Sequence, residues 1–184
     1  MTEAVVATDR GVRVVRRRPR RFRGLLVSDS VIPPLEAHLM AAGRRRREQA
    51  AFLCGYVLAG SVGLVTTVLL PDTDGSLGGC RFSVEAMART FQQTRRLRQV
   101  FLAQVHTHPG PYCGHSFTDD HGAIVEAAGF FSIVVPWFGR EGLSRLFSGG
   151  AAVHERTPDG AWRLLPTRET RRRFVIIPAR CAVI

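Results

Sequence analysis

His106-Thr107-His108-Pro109-Gly110-Pro111-Tyr112-Cys113-Gly114-His115-Ser116-Phe117-Thr118-Asp119-Asp120 is the stretch on which the reading of this chain turns. It follows Val100–Val105, an apolar run that predicts a strand. Side chains on a strand alternate, so His106 and His108, at i and i+2, project from one face. A Gly/Pro/Cys/Ser loop over residues 109–117 leads into a helix expected from about Thr118 to Ala128. The loop is long enough to fold back and bring Asp119 to the two imidazoles. Two His and one carboxylate make a catalytic zinc set with its fourth position left to water, whose pKa the ion lowers to about 7. Each piece also has a plainer reading. A His-x-His can be a polar rim, Ser116-x-x-Asp119 a capping box, and Asp119 and Asp120 complements to a helix dipole. None of these accounts for all of the residues together.

Outward from that stretch, strands and helices interleave. Gly24–Val27 predicts a first strand, and Ser28-Asp29-Ser30 offers N-cap chemistry for a helix over Pro33–Ala42, with Gly43 as its stop. Ala50–Leu70 carries no charge and is about long enough to cross a bilayer. Ala59-Gly60-Ser61 breaks it, so two buried strands, Phe52–Leu58 and Val62–Leu70, are expected instead. Pro71–Gly79 reads as loop, and Ser83 as the cap of a helix running to about Arg98. Phe130–Val135 reads as a buried strand, and Ala151–Glu155 and Trp162–Leu165 as a hairpin about Pro158-Asp159-Gly160. Phe174–Ile177 offers one more strand. The expectation is one α/β domain over residues 24–167, a mixed, mostly antiparallel sheet flanked by helices. A basic arm (1–23) precedes it and an extension (168–184) follows.

The decisive stretch resembles the signature of the JAMM (MPN+) zinc metalloproteases. The resemblance rests on His106-x-His108-Pro109, the ten residues between His108 and Asp119, and Ser116 three before Asp119. The family's upstream glutamate is matched by Glu48, in Glu48-Gln49-Ala50-Ala51-Phe52-Leu53-Cys54-Gly55, with Ala51 where Gly is common. The order of elements is similar over residues 24–136. His115-Ser116-x-Thr118-Asp119-Asp120 and the run Gly129–Gly139 narrow the resemblance to a prokaryotic branch. That branch is encoded beside ubiquitin-activating-like and ubiquitin-conjugating-like proteins, in Bil and CBASS-type antiphage operons.

The resemblance implies the MPN fold and one catalytic Zn2+ on His106, His108 and Asp119. It implies Glu48 as the acid/base that passes a proton to a leaving lysine amine, and Ser116 as the donor to the oxyanion. Thr107 and Asp120 are candidates to orient ligands. The implied reaction is hydrolysis of the bond between a ubiquitin-like modifier and a target lysine, or maturation of the modifier. Implied partners are that modifier, its conjugates, and the activating-like and conjugating-like enzymes. A sulfur-carrier-processing protease would share the chemistry. A RadC-like relative or a non-catalytic MPN module would instead use the Arg-rich arm on nucleic acid or a partner. Non-catalytic MPN scaffolds usually lack a ligand, whereas Glu48, His106, His108 and Asp119 are all present here.

Composition constrains the rest. The 184 residues carry a formal charge of +11, and every one of the 26 basic residues is Arg; there is no Lys and no Asn. A high-GC genome is the plain cause. Eight Arg fall between Arg10 and Arg23, four at Arg44–Arg47 and three at Arg171–Arg173. Such runs are usually solvated tails, which makes nucleic acid the weaker partner. Hydrophobic content of 45% excludes a disordered or fibrous chain.

Cys54, Cys80, Cys113 and Cys181 fit no CxxC pattern and read as reduced thiols of a cytoplasmic protein without a membrane anchor. Cys54 is expected in the core and Cys113 as loop filler. Cys181–Ile184 has the C-a-a-X shape, read as chance in a bacterial-looking chain. His115 is expected to face solvent, and His38 and His154 to lie away from the motif. Trp137 and Phe138 would either wall the substrate or close the core.

Overall fold

Central strands of a sheet covered on both faces read as unbroken apolar runs, and the uncharged stretch over residues 50–70 is of that kind. In the computed structural model, which describes residues 3–8, 11–16, 22–116, 119–120 and 124–179, it forms two antiparallel strands. The strands are β1 (Glu3–Thr8), β2 (Gly11–Arg16), β3 (Gly24–Ser28), β4 (Ala50–Val57), β5 (Val62–Leu69), β6 (Thr73–Ser76), β7 (Gly79–Phe82), β8 (Val100–Thr107), β9 (Phe131–Val135), β10 (Ala152–Arg156), β11 (Trp162–Leu164) and β12 (Phe174–Ile177). The helices are α1 (Ile32–Arg44), α2 (Val84–Arg96) and α3 (Thr167–Arg173). No helix among the described residues is long and apolar enough to cross a membrane.

Eight strands form one mixed sheet in the order β11-β10-β9-β8-β4-β5-β3-β12. The pairs β4/β5, β4/β8, β9/β10 and β10/β11 are antiparallel, while β8/β9, β3/β5 and β3/β12 are parallel. β1/β2 and β6/β7 are separate antiparallel pairs.

Alternation along the strands feeds two cores. Leu25, Val27, Ala51, Leu53, Val65, Val105, Ile133 and Val135 pack on the face covered by Leu35 and Leu39 of α1. Phe52, Cys54, Phe101, Val125 and Phe130 pack on the other face, under Met87 and Phe91 of α2. Phe101 meets Phe52 and Phe91 edge-on, each pair at 5.2 Å between centroids. The fold is therefore a single mixed α/β domain with a largely sheet core flanked by helices.

Several local expectations are corrected. Ser28 does not cap α1; its hydroxyl pairs with that of Ser30 at 2.7 Å, a short 3-10 turn intervenes, and Pro33-Pro34 occupy the first turn. Gly43 does not stop α1. It lies inside the last turn because Phe138 packs against it, so closely that a Cβ there would meet the Phe138 Cβ at 2.6 Å. Part of the Pro71–Gly79 loop is the β6/β7 pair. The helix expected to reach Ala128 does not: Asp119 and Asp120 are helical, but residues 124–128 are not, and Ile124 and Val125 are buried in the α2-side core. Thr118, His121, Cys181 and the C-a-a-X residues lie outside the described residues. Ser83 does cap α2, its hydroxyl accepting from the Ala86 N–H at 3.0 Å.

Candidate metal centre

The site lies at the carboxyl ends of the parallel pair β8/β9, where open α/β sheets place their ligands. His106 is in β8, opposite Val134 of β9 and Ala50 of β4; His108 is the first residue beyond the strand. The His108 backbone is tied on both sides. Its N–H donates to the Val135 carbonyl at 2.9 Å, and its own carbonyl accepts from the Phe138 N–H at 2.8 Å. Trp137 and Phe138 both have positive φ (54° and 55°), a rare conformation for bulky residues. That bend aims their N–H groups at Gly110 and His108. Phe138 thus closes the core while Trp137 stays exposed.

Asp119 reaches both imidazoles. Its Oδ1 lies 3.3 Å from His106 Nε2 and its Oδ2 3.3 Å from His108 Nε2. The three ligand atoms lie within 4.8 Å of one another. Ligands about 2.05 Å from a tetrahedral zinc are about 3.3 Å apart, so the spacing suits a shared ion. Two further observations fit a metal. His106 is 3% exposed, yet among the described residues neither of its ring nitrogens makes a hydrogen bond, Nε2 having only the 3.3 Å ion-pair contact to Asp119, which is costly unless a ligand satisfies one. His108 donates from Nδ1 to the Tyr112 carbonyl at 3.0 Å, a tautomer assigned from the network, which leaves Nε2 as the lone-pair donor.

Ser116 holds Asp119 in place. Its N–H donates to Asp119 Oδ2 at 2.7 Å, and its Oγ accepts from the Asp119 N–H at 3.3 Å. The capping role occupies the oxygen as acceptor and leaves the hydroxyl proton available to a substrate. Burial works to raise the Asp119 pKa, but the His106 and His108 imidazoles outweigh it, and the carboxyl stays ionised far below the usual carboxylate range.

Glu48 lies two residues before the start of β4 at Ala50. It is 7% exposed. Its N–H donates to the Ser76 carbonyl at 2.9 Å, which docks the β6/β7 pair against it. The adjoining Gln49 is fastened to β8: its N–H donates to Thr107 Oγ1 at 3.0 Å, and its carbonyl accepts from the Thr107 N–H at 3.0 Å. Thr107 therefore positions the Glu48 segment. Burial lifts the Glu48 carboxyl to about 7, with the His108 charge opposing and the Asp119 charge adding to the rise. A carboxyl so tuned can accept and return a proton near neutral pH.

Glu48, His106, His108, Ser116 and Asp119 thus meet in one place, although Glu48 lies 58 residues before His106 in the chain. Asp120 faces partly outward and accepts from His115. Contrary to expectation, the His115 side chain is only 5% exposed, and His154 is part of the surroundings of the site, its ring 4.0 Å from that of His115. Burial, with His115 and His106 adding, lowers His154 to about 4, so it is neutral. Cys113 bonds weakly to the Pro111 carbonyl at 3.5 Å. Cys80, expected only as one of four reduced thiols, lies on β7 close enough to the site for its charges to act on it; burial, reinforced by the nearby Glu48 and Asp119 charges, pushes its thiol up to about 12. No local sequence signal marks Cys80 or His154, because strand register and hairpin docking bring them in.

No family model matches the chain. Among solved structures, the chain is similar to the solution structure of a protein from Desulfitobacterium hafniense, at 14% identity and a TM-score of 0.63, with 84% of this chain and 93% of that one covered. It is also similar to the solution structure of a protein from Salinibacter ruber, at 15% identity and a TM-score of 0.50, with 84% and 92% covered. At such identities the likeness speaks to the fold alone: this chain shares a mixed α/β architecture with both.

Proposed function

We propose that this chain is a zinc-dependent isopeptidase of the JAMM/MPN+ type. In this reading it hydrolyses the amide between the C-terminus of a ubiquitin-like modifier and a target lysine in the cytoplasm of a bacterium. The observation that carries the reading is the convergence of His106, His108 and Asp119 beside the buried Glu48. Zn2+ on that set would supply Lewis-acid polarisation of the carbonyl and acidify water. Glu48, raised toward neutrality, takes a proton from the attacking water and returns it to the departing amine, a service typically worth roughly 10²–10⁴-fold. Ser116 offers its hydroxyl proton to the carbonyl oxygen as charge develops there. Gln49 and Thr107 fasten the segment that carries Glu48 to β8.

The test is metal content together with cleavage of a modifier–lysine conjugate by wild type and Glu48→Gln. Stoichiometric zinc in both proteins, with turnover lost only in the variant, is the expected result. A wild type without zinc would sink the site assignment, and undiminished turnover in Glu48→Gln would sink the assigned base. Activating-like and conjugating-like genes beside this one would support the substrate class.

A further inference from the structure

His115 sits beside the ligand set without reaching it. Its ring centroid is 5.9 Å from that of His106, and its side chain is almost fully enclosed. Both ring nitrogens are engaged: Nδ1 lies 3.1 Å from Asp120 Oδ1, and Nε2 lies 3.0 Å from Ser132 Oγ. A carboxylate can only accept, so Nδ1 carries the proton and donates; Nε2 then accepts from the Ser132 hydroxyl. No nitrogen is left for a substrate. The ring is also packed, 4.0 Å from His154 and edge-on to Trp162 at 4.8 Å.

Ser132 is a rigid anchor. It lies in β9, paired with Gln104 of β8 on one side and His154 of β10 on the other. His115 therefore spans from the middle of the sheet to the helical start that carries Asp119. The backbone closes the figure. His115 adjoins Ser116, whose N–H holds Asp119 Oδ2 and whose carbonyl accepts from the Asp120 N–H at 3.1 Å. His115, Ser116, Asp119 and Asp120 thus form a ring closed by the His115–Asp120 bond and bolted to β9 through Ser132.

We infer that His115 is a positioning residue for the metal centre: by joining Asp120 to Ser132 it fixes where Asp119 presents its carboxylate to Zn2+. The inference rests on the proposed metal centre. Removing a group that orients a metal ligand typically costs roughly 10–100-fold in metal affinity.

The test separates this role from packing. His115→Phe keeps the ring and its stacking and loses both hydrogen bonds. His115→Asn loses most of the ring, but its amide nitrogen can stand where Nδ1 stands and keep the bond to Asp120. Zn2+ affinity is measured on full-length metal-free protein by competition with a chromophoric chelator, and Co2+ uptake by its visible absorption. Thermal unfolding of the metal-free proteins checks that each variant is folded. The expected order is wild type, then His115→Asn, intermediate because it keeps the Asp120 bond and loses the Ser132 anchor, then His115→Phe about 10–100-fold weaker than wild type. Asp120→Ala, a change at a partly exposed position, serves should His115→Phe fail to fold. It is expected to lose comparable affinity and to be non-additive with His115→Asn. His115→Phe binding as well as or better than His115→Asn, or Asp120→Ala binding like wild type, would overturn the inference. A wild type that takes up neither ion would instead overturn the metal centre itself, whatever the variants do.

Discussion

Arg173 grips Glu155 with both arms of its guanidinium, Nη2 to Oε1 at 3.0 Å and Nη1 to Oε2 at 3.1 Å. Arg163 adds a 2.6 Å contact to the same carboxylate, and Glu169 bridges the two arginines. Arg173 also donates to the Phe22 and Arg23 carbonyls, at 2.9 and 2.7 Å, and so ties the end of α3 to the entry of β3. Burial works against the Glu155 charge, but the two arginines prevail and hold its pKa at about 2, below the ordinary 4.5. The stability this carboxylate contributes is therefore whole above about pH 5 and disappears as pH falls toward 2. Glu155→Gln should unfold more easily at neutral pH, by about 2 kcal/mol because the bonds from Arg173 and Arg163 lose their charged acceptor while Glu169 still pairs both arginines, and should show a shallower acid limb. Denaturant melts from pH 3 to 7 measure both. An unchanged acid limb would contradict the assignment.

Glu48 carries the opposite sign. Its pKa in the folded, metal-free protein is raised to about 7 from an ordinary 4.5. Its contribution is present below about pH 4.5 and is lost as pH rises through 7. Metal-free Glu48→Gln should therefore gain stability over metal-free wild type as pH increases from 5 to 8, the reverse of its effect on turnover. Paired thermal melts across that range give the difference directly, and a difference that does not grow with pH would refute the buried-carboxyl account.

Asp119 bridges the two histidines, so its loss should undo metal binding more than folding. Asp119→Ala is expected to bind Zn2+ at least 100-fold more weakly, since losing even a group that only orients a ligand costs about 10–100-fold. Removing the ion with a chelator should lower the wild-type melting temperature, since a ligand at 1,000 times its Kd stabilises by about 4 kcal/mol. The chelator should leave the melt of Asp119→Ala where it was. Calorimetry with and without chelator reads the comparison.

Gly75 tests the seat of Glu48. A Cβ at residue 75 would collide with the Glu48 carbonyl, so Gly75→Ala must push β6/β7 away or shift the Glu48 backbone. A cost of about 1–3 kcal/mol is expected. Turnover should fall with Zn2+ affinity kept, because His106, His108 and Asp119 are held by other elements. Metal titration beside single-turnover cleavage separates the two effects.

What the sequence disclosed follows the range of the forces involved. His106 and His108 were readable because strand alternation is local, and the Ser83 cap because its partner is three residues away. Glu48 entered only through the family resemblance, since Gln49–Thr107 pairing is not written in either segment. His115 and His154 were misplaced because their environment comes from the β9/β10 register. The Ser28 cap failed because Ser30 offered its hydroxyl a nearer partner. The helix expected to reach Ala128 does not include Ile124 and Val125, which are buried in the core under α2, a long-range contact that local periodicity does not encode.

The parallel pairing of β12 with β3 joins segments about 150 residues apart: Phe174 lies opposite Leu25, and Ile177 opposite Ser28. During synthesis β3 is made well before β12, and one of its two edges stays bare until the ribosome has passed Ile177. A nascent chain stalled short of that point would display Leu25 and Val27 beside a row of unpaired peptide groups, an invitation to a neighbouring chain. Translation speed and chaperone occupancy while the residues between β5 and β12 are made thus become determinants of how much folded protein a cell obtains.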